Sequence, residues 1–304
     1  MKNPLTGIEF FKDPISPAAR INDPRLSPIA NASKGYWYTG QYRKEKITGR
    51  VQRQIARHGS ATPILVIYNI PNRDLGSYSK GGAQNAKDYL RFIDEFIGGV
   101  GDSKPIIILE PDALASCQNM KIAKRMARIE LIRQAVDRLS KTNAYVYIDI
   151  GNPEYINDPA LAGDLLSRVG VCSCAGFSVN VSNFYSTDIC EKYAVQVSRY
   201  CHDAHFVIDT SRNGVGHIDK TQWCNPPGRR LGTAPTTGTN HPQCDAYLYI
   251  KPPGESDGEC NGGPRAGTFW KEYALELCQP MSTTDKKSNS LDELLINHPE
   301  FLVL

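Results

Sequence analysis

Residues 104–110 read KPIIILE, a run of four aliphatic residues that ends directly at a glutamate. A short run of this kind, rich in β-branched residues, predicts a strand that is buried on both faces. Such strands are typical of parallel sheets, because the crossovers between parallel strands cover both faces with helices. The segment therefore indicates an α/β protein with a parallel sheet.

Six further runs of the same type occur along the chain. They are YWYTG (36–40), PILVIYNI (63–70), AYVYIDIG (144–151), AGFSVNVS (175–182), HFVIDTS (205–211) and DAYLYIKP (245–252). Amphipathic stretches long enough for helices lie between most of them, such as 84–98 and 120–141. Seven such units favour a distorted, seven-stranded parallel β/α barrel over two smaller domains. Since no linker rich in Pro, Gly or Ser divides the first 280 residues, we expect one barrel domain over 1–280 and a C-terminal extension over 281–304.

The charge is nearly balanced, at +3 from 35 basic and 32 acidic residues mixed along 304 positions. This balance argues against a nucleic-acid-binding or membrane-binding surface and favours a neutral substrate. No apolar run approaches the length of a transmembrane helix. The first residues, MKNPLTGIEFF, lack the apolar core of a signal peptide, so we expect that any such peptide was removed or never existed.

Nine cysteines are many for a cytosolic enzyme of this size. They form no CxxC pair and no zinc-ligand spacing with histidine. Most of them are predicted to be disulfide partners in a secreted, extracellular protein, with one left unpaired. The alternative is a set of scattered buried thiols.

Nearly every predicted strand ends in polar or charged residues. They are Asp74, Glu110, Asp112, Asp149, Asn180, Asn183, Asp209, Arg212, Lys251, Glu255 and Asp257. One aspartate at a strand end is more often a helix cap or a turn residue. When five strands share the feature, however, their carboxyl ends converge on one face of a barrel, where active sites are built.

Carboxylates dominate this predicted site, and the sequence has no nucleophile elbow, P-loop or dinucleotide-binding glycine motif. A divalent metal on Asp74, Asp112, Asp149 and Asp257 is one reading, since oxygen ligands suit magnesium or calcium. A second reading is suggested by aromatic residues at or just beyond strand ends, which could stack on sugar rings. They are Trp37, Tyr68, Tyr155 and Trp223. Paired acids with aromatic platforms favour glycoside hydrolysis, in which one carboxyl stays protonated through burial and a neighbouring carboxylate.

Seven blocks of the sequence resemble glycoside hydrolase family 6, which contains endoglucanases and cellobiohydrolases that act on cellulose. In order, they are VIYNIPNRDLGSYSKGG, ILEPDALA, YIDIGNPEY, GFSVNVSNFY, VIDTSRNG, WCNPPGRRLG and YIKPPGESDG. The resemblance spans roughly residues 36–275. It implies a distorted seven-stranded barrel and inverting cleavage of β-1,4-glucan, with no cofactor and no resident metal.

The resemblance also implies a role for individual residues. Asp112 matches the general acid, and Asp74 matches the carboxylate that keeps this acid protonated and takes part in base catalysis through water. Asp257 matches the residue often proposed as the base, and Tyr68 matches the tyrosine that distorts the sugar at the cleavage point. Ser79 matches the serine that helps to position the water. The implied substrate-binding residues are Trp37, Trp223, Lys251 and Glu255, with Tyr155, Asn180, Asn183, Arg212 and Asp149 in lining or supporting positions.

The sequence departs from the family pattern at several positions. Asn152 and Tyr155 stand where the family usually has His and Trp, which predicts weaker binding on the leaving-group side. Leu75 replaces a common cysteine, so we expect Cys117 to lack its family partner. The resemblance implies a Cys224–Cys260 disulfide, whereas Cys190–Cys201 and a pair among Cys172, Cys174, Cys244 and Cys278 are hypotheses only.

The length of one loop favours an endoglucanase. Only ECNGGP separates Gly258 from the following RAGTFWKEY segment, which is too short to roof a tunnel. We therefore expect an open cleft, a monomer, and internal cleavage of β-1,4-glucan. The alternatives are a cellobiohydrolase, a metal-dependent hydrolase, and a barrel that binds β-glucan without cleaving it.

Overall fold

Seven parallel strands form a curled sheet in the order in which they occur in the chain. The computed structural model describes residues 2–40, 46–74, 77–216 and 222–281. The strands are β1 (Tyr36–Tyr38), β2 (Ile64–Ile67), β3 (Ile106–Leu109), β4 (Tyr145–Asp149), β5 (Gly176–Val179), β6 (His205–Asp209) and β7 (Cys244–Leu248). Six of them lie within the runs found in the sequence, and β7 begins one residue before its run, so the predicted α/β barrel is confirmed.

Helices connect most of these strands and cover the outer face of the sheet. They are α1 (Pro17–Ile21), α2 (Ser27–Ala30), α3 (Ile47–His58), α4 (Ala86–Val100), α5 (Ile122–Leu139), α6 (Pro159–Val169), α7 (Thr187–Arg199) and α8 (Lys271–Leu277). The predicted helices at 84–98 and 120–141 correspond to α4 and α5. Asn85 caps α4 and Asp158 caps α6 by accepting hydrogen bonds from backbone N–H groups of the first turn.

Alternate residues of each strand enter two different apolar layers. In β3, Ile107 and Leu109 pack outward in the layer shared with the helices, whereas Ile106 and Ile108 pack in the barrel interior. Leu5 is fully buried among these interior residues. Because both layers are apolar, the strands read as continuous hydrophobic runs rather than as an alternating pattern.

The two edge strands approach each other without becoming paired neighbours in the sheet. The Gly35 N–H donates to the Tyr249 carbonyl at 2.9 Å, and the Trp37 indole N–H donates to the Ile250 carbonyl at 3.0 Å. Position 35 requires glycine, because a Cβ there would lie 2.2 Å from the Ile250 carbonyl oxygen. The sheet is thus an incomplete barrel whose edges meet just below the carboxyl ends of the strands.

Residues 282–304 lie outside the described residues, so the division of the chain near residue 280 stays a prediction. Within the described ranges, none of the helices combines the length and the apolar character that a bilayer-spanning helix requires.

The cysteines differ from the prediction in most cases. Cys224 and Cys260 form the disulfide that the family resemblance implies, and the thiol of Cys117 is free as expected. The other six cysteines are also free, so the predicted predominance of disulfides is wrong. Cys190 and Cys201 are buried, and their thiols donate to backbone carbonyls of Tyr185 and Val197 rather than joining each other.

Loss of the Cys224–Cys260 disulfide is expected to destabilise the fold. The bridge closes a loop of 36 residues, which corresponds to about 4 kcal/mol by loop entropy. We predict that the double variant Cys224→Ser, Cys260→Ser unfolds at lower urea concentration by circular dichroism. Cys172→Ser is the control, because this free thiol is exposed. Equal midpoints for the double variant and the wild type would contradict the prediction.

Candidate active site

A cleft of about 1350 Å³ lies across the carboxyl ends of the strands. Eleven of the site residues predicted from the sequence line it. They are Trp37, Tyr68, Asp74, Ser79, Asp112, Tyr155, Asn183, Trp223, Lys251, Glu255 and Asp257. The polar residues that follow the strands therefore lie together on one face of the barrel, as the sequence predicted.

Three predicted lining or substrate-binding residues lie beneath the cleft surface instead. Asn180 and Arg212 are fully buried, so the expectation that they line the cleft is wrong, and Asp149, which was expected in a supporting position, is also fully buried. The Asn180 side chain donates to backbone carbonyls of Asp209 and Tyr185 at 2.8 and 3.2 Å. All three act as internal supports, since their polar atoms are used within the protein.

Glu110 and Asp112 stand on either side of Pro111 and face different neighbours. Both adopt the left-handed conformation, with φ of 50° and 63°, which is uncommon for residues other than glycine. The Glu110 carboxylate is buried and accepts three hydrogen bonds of 3.0 to 3.1 Å from the backbone N–H groups of Asn69 and Ile70. Because Glu110 is committed to the end of β2, only Asp112 is available to a substrate in the cleft.

Asp149 at the end of β4 fixes the backbone of Asp112. Its Oδ1 accepts the Asp112 N–H at 2.7 Å and the Gly151 N–H at 2.9 Å, and its Oδ2 accepts the Ser178 hydroxyl at 3.0 Å. Burial, followed by the charge of Asp112, raises the pKa of Asp149 well above its usual range. The peptide that carries Asp112 is thus held by a residue that itself has no access to the cleft.

The carboxyl of Asp112 has the electrostatic environment of an acid that stays protonated. Burial, together with the nearby charge of Asp74, raises the pKa of Asp112 to about 7. Burial also raises the pKa of Asp74, although the Ser79 N–H and the Arg73 guanidinium oppose the shift. Two neighbouring carboxylates resist ionising together, so one of the pair keeps its proton to a higher pH than an isolated aspartate would.

The loop after β2 carries Asp74, and hydrogen bonds connect its described residues. The Ser79 N–H donates to Asp74 Oδ2 at 2.7 Å, and the Ser79 carbonyl accepts from Arg73 Nε at 2.8 Å. Arg73 Nη1 also donates to the carbonyls of Tyr68 and Thr39 at 2.7 and 2.8 Å. Arg73 thus joins this loop to the ends of β1 and β2. Leu75 lies outside the described residues.

Asp257 has the opposite electrostatic environment. It forms ion pairs with Arg212 at 2.7 Å and with Lys251 at 3.2 Å. Burial opposes the ionisation of Asp257, but the charges of Arg212 and Lys251 outweigh it and lower the pKa. Asn225, next to the disulfide, donates its N–H to Asp257 Oδ2 at 3.0 Å and accepts the Asp257 N–H at 2.7 Å. Asp257 is therefore a rigid, ionised carboxylate.

Aromatic rings line the cleft on both sides of these carboxyls. Trp37 packs edge-on against Tyr68 with centroids 5.2 Å apart, and the Arg73 guanidinium lies 4.9 Å from the Tyr68 ring centroid. Trp223, which also lines the cleft, is 46% exposed and lies 6.2 Å from the ring of Tyr78, which is 49% exposed. Rings exposed to this degree inside a cleft can stack on sugar faces.

Two further residues, Glu255 and Tyr155, line the cleft. Burial raises the pKa of Glu255 to about 7, while the charges of Lys251 and Lys34 oppose the shift. On the other side, Tyr155 lies near both Asp112 and Asp74, and burial and these charges raise its pKa to about 12. The Tyr185 hydroxyl donates to Glu154 beside it. Both regions therefore offer hydrogen-bonding groups to a neutral, hydroxyl-rich ligand.

Sequence reasoning missed three residues that shape this site: Arg73, Tyr78 and Arg128. Arg73 and Tyr78 lie within a quoted motif but carry no strand-end signal of their own. Arg128 lies on α5, on the same helical face as the buried Leu131, Ile132 and Ala135. An arginine on the apolar face of a predicted helix indicates a buried polar contact, because positions on this face are normally apolar.

Within the described part of the chain, no group of three or more His, Cys, Asp or Glu side chains is arranged to hold a metal ion. The four aspartates considered as ligands are instead used separately. Asp149 binds backbone N–H groups, and Asp257 pairs with two cations.

Comparison with known proteins identifies close relatives. Endoglucanase A of Cellulomonas fimi is 38% identical over 245 residues, which cover 81% of this chain and 53% of that protein. The chain thus spans about half the length of this relative. Endoglucanase 1 of Streptomyces halstedii is 36% identical over 287 residues, which cover 88% of each chain.

A solved structure supports the same relationship. The endoglucanase Cel6 from Mycobacterium tuberculosis, in complex with methyl-cellobiosyl-4-deoxy-4-thio-β-D-cellobioside, superposes with a TM-score of 0.85. It is 41% identical, and the match covers 90% of this chain and 98% of that one. The family model of glycosyl hydrolases family 6 matches residues 14–281, nearly the whole described chain. The chain therefore belongs to glycosyl hydrolases family 6.

Proposed function

We propose that this protein is an inverting endo-β-1,4-glucanase that cleaves internal bonds of cellulose or a related β-glucan. The observation that carries the proposal is the contrast between the carboxyls in one cleft. Burial and the neighbouring charge of Asp74 raise the pKa of Asp112 to about 7, whereas Asp257 pairs with Arg212 and Lys251, whose charges lower its pKa. Glycoside hydrolysis requires one protonated carboxyl that donates to the leaving oxygen, together with ionised carboxylates that accept the proton of the attacking water and stabilise positive charge on the sugar.

In this proposal Asp112 is the general acid. It donates its proton to the glycosidic oxygen as the bond to the anomeric carbon breaks, so that the leaving sugar departs as a neutral alcohol. A water molecule attacks the anomeric carbon from the opposite face, which inverts its configuration. Tyr68, with its ring fixed by Trp37 and Arg73, crowds the sugar at the cleavage point.

The proton released by the attacking water goes to Asp74 through water, with Ser79 beside it. The pKa of Asp74 is raised, which makes it the better proton acceptor by Brønsted behaviour. Asp257 is a weaker base because two cations stabilise its ionised form. Its proposed role is to hold Arg212 and Lys251 and to supply negative charge near the developing oxocarbenium ion.

The endo mode is supported by the loop after Asp257. Gly267 N–H donates to the Ser256 carbonyl at 2.9 Å, so the chain returns to its starting point within eleven residues. Cys260 in this loop is tied to Cys224. A loop this short leaves Trp223 exposed, and an open cleft admits the middle of a glucan chain. The relatives with the highest identities reported above are themselves named endoglucanases.

We predict that the protein lowers the viscosity of carboxymethylcellulose early, while few reducing ends have been released. Cleavage of cellohexaose should give new reducing ends as the α-anomer by proton NMR, before mutarotation equilibrates them. An Asp112→Asn sample serves as the blank, and activity should persist in the presence of a chelator.

Three outcomes would contradict this proposal. Cellobiose as the sole early product, with viscosity retained, would indicate a cellobiohydrolase. A new β-anomer would exclude inversion. Binding of cellohexaose without any cleavage of several β-glucans would indicate a non-catalytic glucan-binding protein.

We also propose that the protein acts outside the cell as a monomer, with β-1,4-glucan as its only macromolecular partner. The support is physical, because a polymeric glucan does not cross a membrane. The enzyme that cleaves it must therefore be outside the cell, where the polymer is. The free state of seven cysteines removes the cysteine count as an argument for secretion.

A further inference from the structure

A single guanidinium, that of Arg128, contacts both segments that carry the paired acids. Arg128 lies on α5 and is 7% exposed. Its Nη1 donates to the Ser116 hydroxyl at 2.7 Å, and its Nη2 donates to the carbonyls of Pro71 and Asn72 at 3.0 and 3.1 Å.

The Ser116 bond connects Arg128 to Asp112. Ser116 donates its backbone N–H to the Asp112 carbonyl at 2.9 Å and its hydroxyl to the Ala113 carbonyl at 2.9 Å. The Ser116 hydroxyl oxygen then accepts from Arg128. The turn that follows the proposed acid is therefore anchored to α5 through this serine.

The bonds to Pro71 and Asn72 connect Arg128 to Asp74. Asn72 and Asp74 both adopt left-handed backbone conformations, with φ of 55° and 58°. Such a turn requires its surroundings to hold it, because isolated non-glycine residues disfavour this conformation. Glu110 binds the preceding N–H groups, and Arg128 binds the two carbonyls that follow.

The separation of the two acids decides how strongly one charge acts on the other. For two charges at an effective dielectric constant near 20, an increase from about 6 to about 8 Å weakens the interaction by about half a pH unit. A guanidinium that fixes both segments therefore fixes a quantity on which acid catalysis depends.

We propose that Arg128 is a positioning residue that sets the spacing of Asp74 and Asp112 by binding both of their segments. This inference rests on the proposed roles of these two aspartates. The hydrogen bonds of Arg128 go to Ser116, Pro71 and Asn72, so it acts on the two carboxyls through the segments that carry them. The titratable groups facing it are Cys117, Glu110, Tyr155 and Tyr68, and those facing Asp112 are Asp74, Asp149, Tyr68 and Tyr155.

The test compares Arg128→Gln with the wild type in the pH dependence of kcat on cellohexaose. Because Asp112 must be protonated, activity falls as the pH rises through its pKa. We expect this alkaline limb to move down by about half a pH unit and kcat to fall by about tenfold or more, with KM changed by less than about twofold.

Arg125→Gln is the matched control. Arg125 lies on the same helix and donates to the carbonyls of Cys117 and Gln118 at 2.9 Å, so its hydrogen bonds go to the segment after Asp112 and not to Pro71 or Asn72. Its alkaline limb should coincide with that of the wild type. A shift in the control equal to that in Arg128→Gln would overturn the proposal, because both would then report general loosening of α5.

Ser116→Ala provides a second variant in case Arg128→Gln does not fold. It removes only the link towards Asp112 and keeps the buried arginine, so a smaller shift in the same direction is expected. An unchanged limb in every variant that folds, even with a lowered melting temperature, would show that Arg128 only stabilises the fold. If Asp112→Asn retains turnover, the assignment of the acid fails instead, and that outcome is separate from the behaviour of Arg128.

Discussion

Replacing Asp112 with asparagine is expected to lower kcat on cellohexaose by about 10³-fold, because proton donation to the leaving oxygen is lost. Asparagine has nearly the same shape as aspartic acid but offers no transferable proton. The backbone N–H of residue 112 should remain bound to Asp149, so the surrounding turn is preserved. Cellohexaose binding, measured by quenching of tryptophan fluorescence, should change in Kd by less than about threefold, or about 0.7 kcal/mol.

A substrate with a good leaving group provides the internal control for this variant. 2,4-Dinitrophenyl β-cellobioside needs little protonation as its bond breaks, so its cleavage should fall by less than about tenfold. Equal losses on both substrates would contradict the role of Asp112 as a proton donor and would indicate a role in binding or folding. Full turnover of cellohexaose would exclude Asp112 from catalysis.

Replacing Asp74 with asparagine is expected to have the second largest effect. The charge of Asp74 contributes to the pKa of Asp112, which is raised to about 7. Without that charge the pKa of Asp112 falls, although burial still holds it above the usual range. The alkaline limb of the kcat profile should therefore move to lower pH, and kcat at its optimum should fall by about 10²-fold as the proton acceptor is lost.

Lys80→Gln is the matched control for Asp74→Asn. Lys80 is an exposed charge on the same loop, and it is not among the groups that shift the pKa of Asp74 or Asp112. The measurement is the pH dependence of initial rates on cellohexaose for the wild type and both variants. A limb that stays in place in Asp74→Asn would show that burial alone keeps Asp112 protonated.

The barrel could be predicted from the sequence because its strands are buried on both faces. The runs around Ile107, Val146 and Phe206 are apolar for this reason, and their regular spacing limits the possible folds. The strand ends could be assigned to one face by topology alone. The direction in which each side chain points at those ends could not be predicted, because it depends on the local backbone conformation.

Asn180 shows how this limit operates. It follows β5 like a lining residue, but its left-handed backbone, with φ of 68°, turns the amide into the protein. Arg212 likewise follows β6, yet it lies under the cleft with its guanidinium 4.4 Å from the Phe184 ring centroid. A disulfide depends on the distance between two cysteines in the fold. Spacing along the chain does not give this distance, and the hypothesised Cys190–Cys201 pair is wrong for this reason.

The contacts between the two edges of the sheet have a mechanical consequence. Trp37 comes from the first strand and Lys251 follows the last. The hydrogen bond from the Trp37 indole to the Ile250 carbonyl joins the two segments that carry them. These two proposed substrate-binding residues are therefore held in a fixed relation to each other, although more than two hundred positions separate them in the chain. Tyr155, by contrast, follows β4 in the middle of the sheet, away from these edges. We expect the part of the glucan that contacts Trp37 and Lys251 to be bound more tightly than the part near Tyr155, which should be released first.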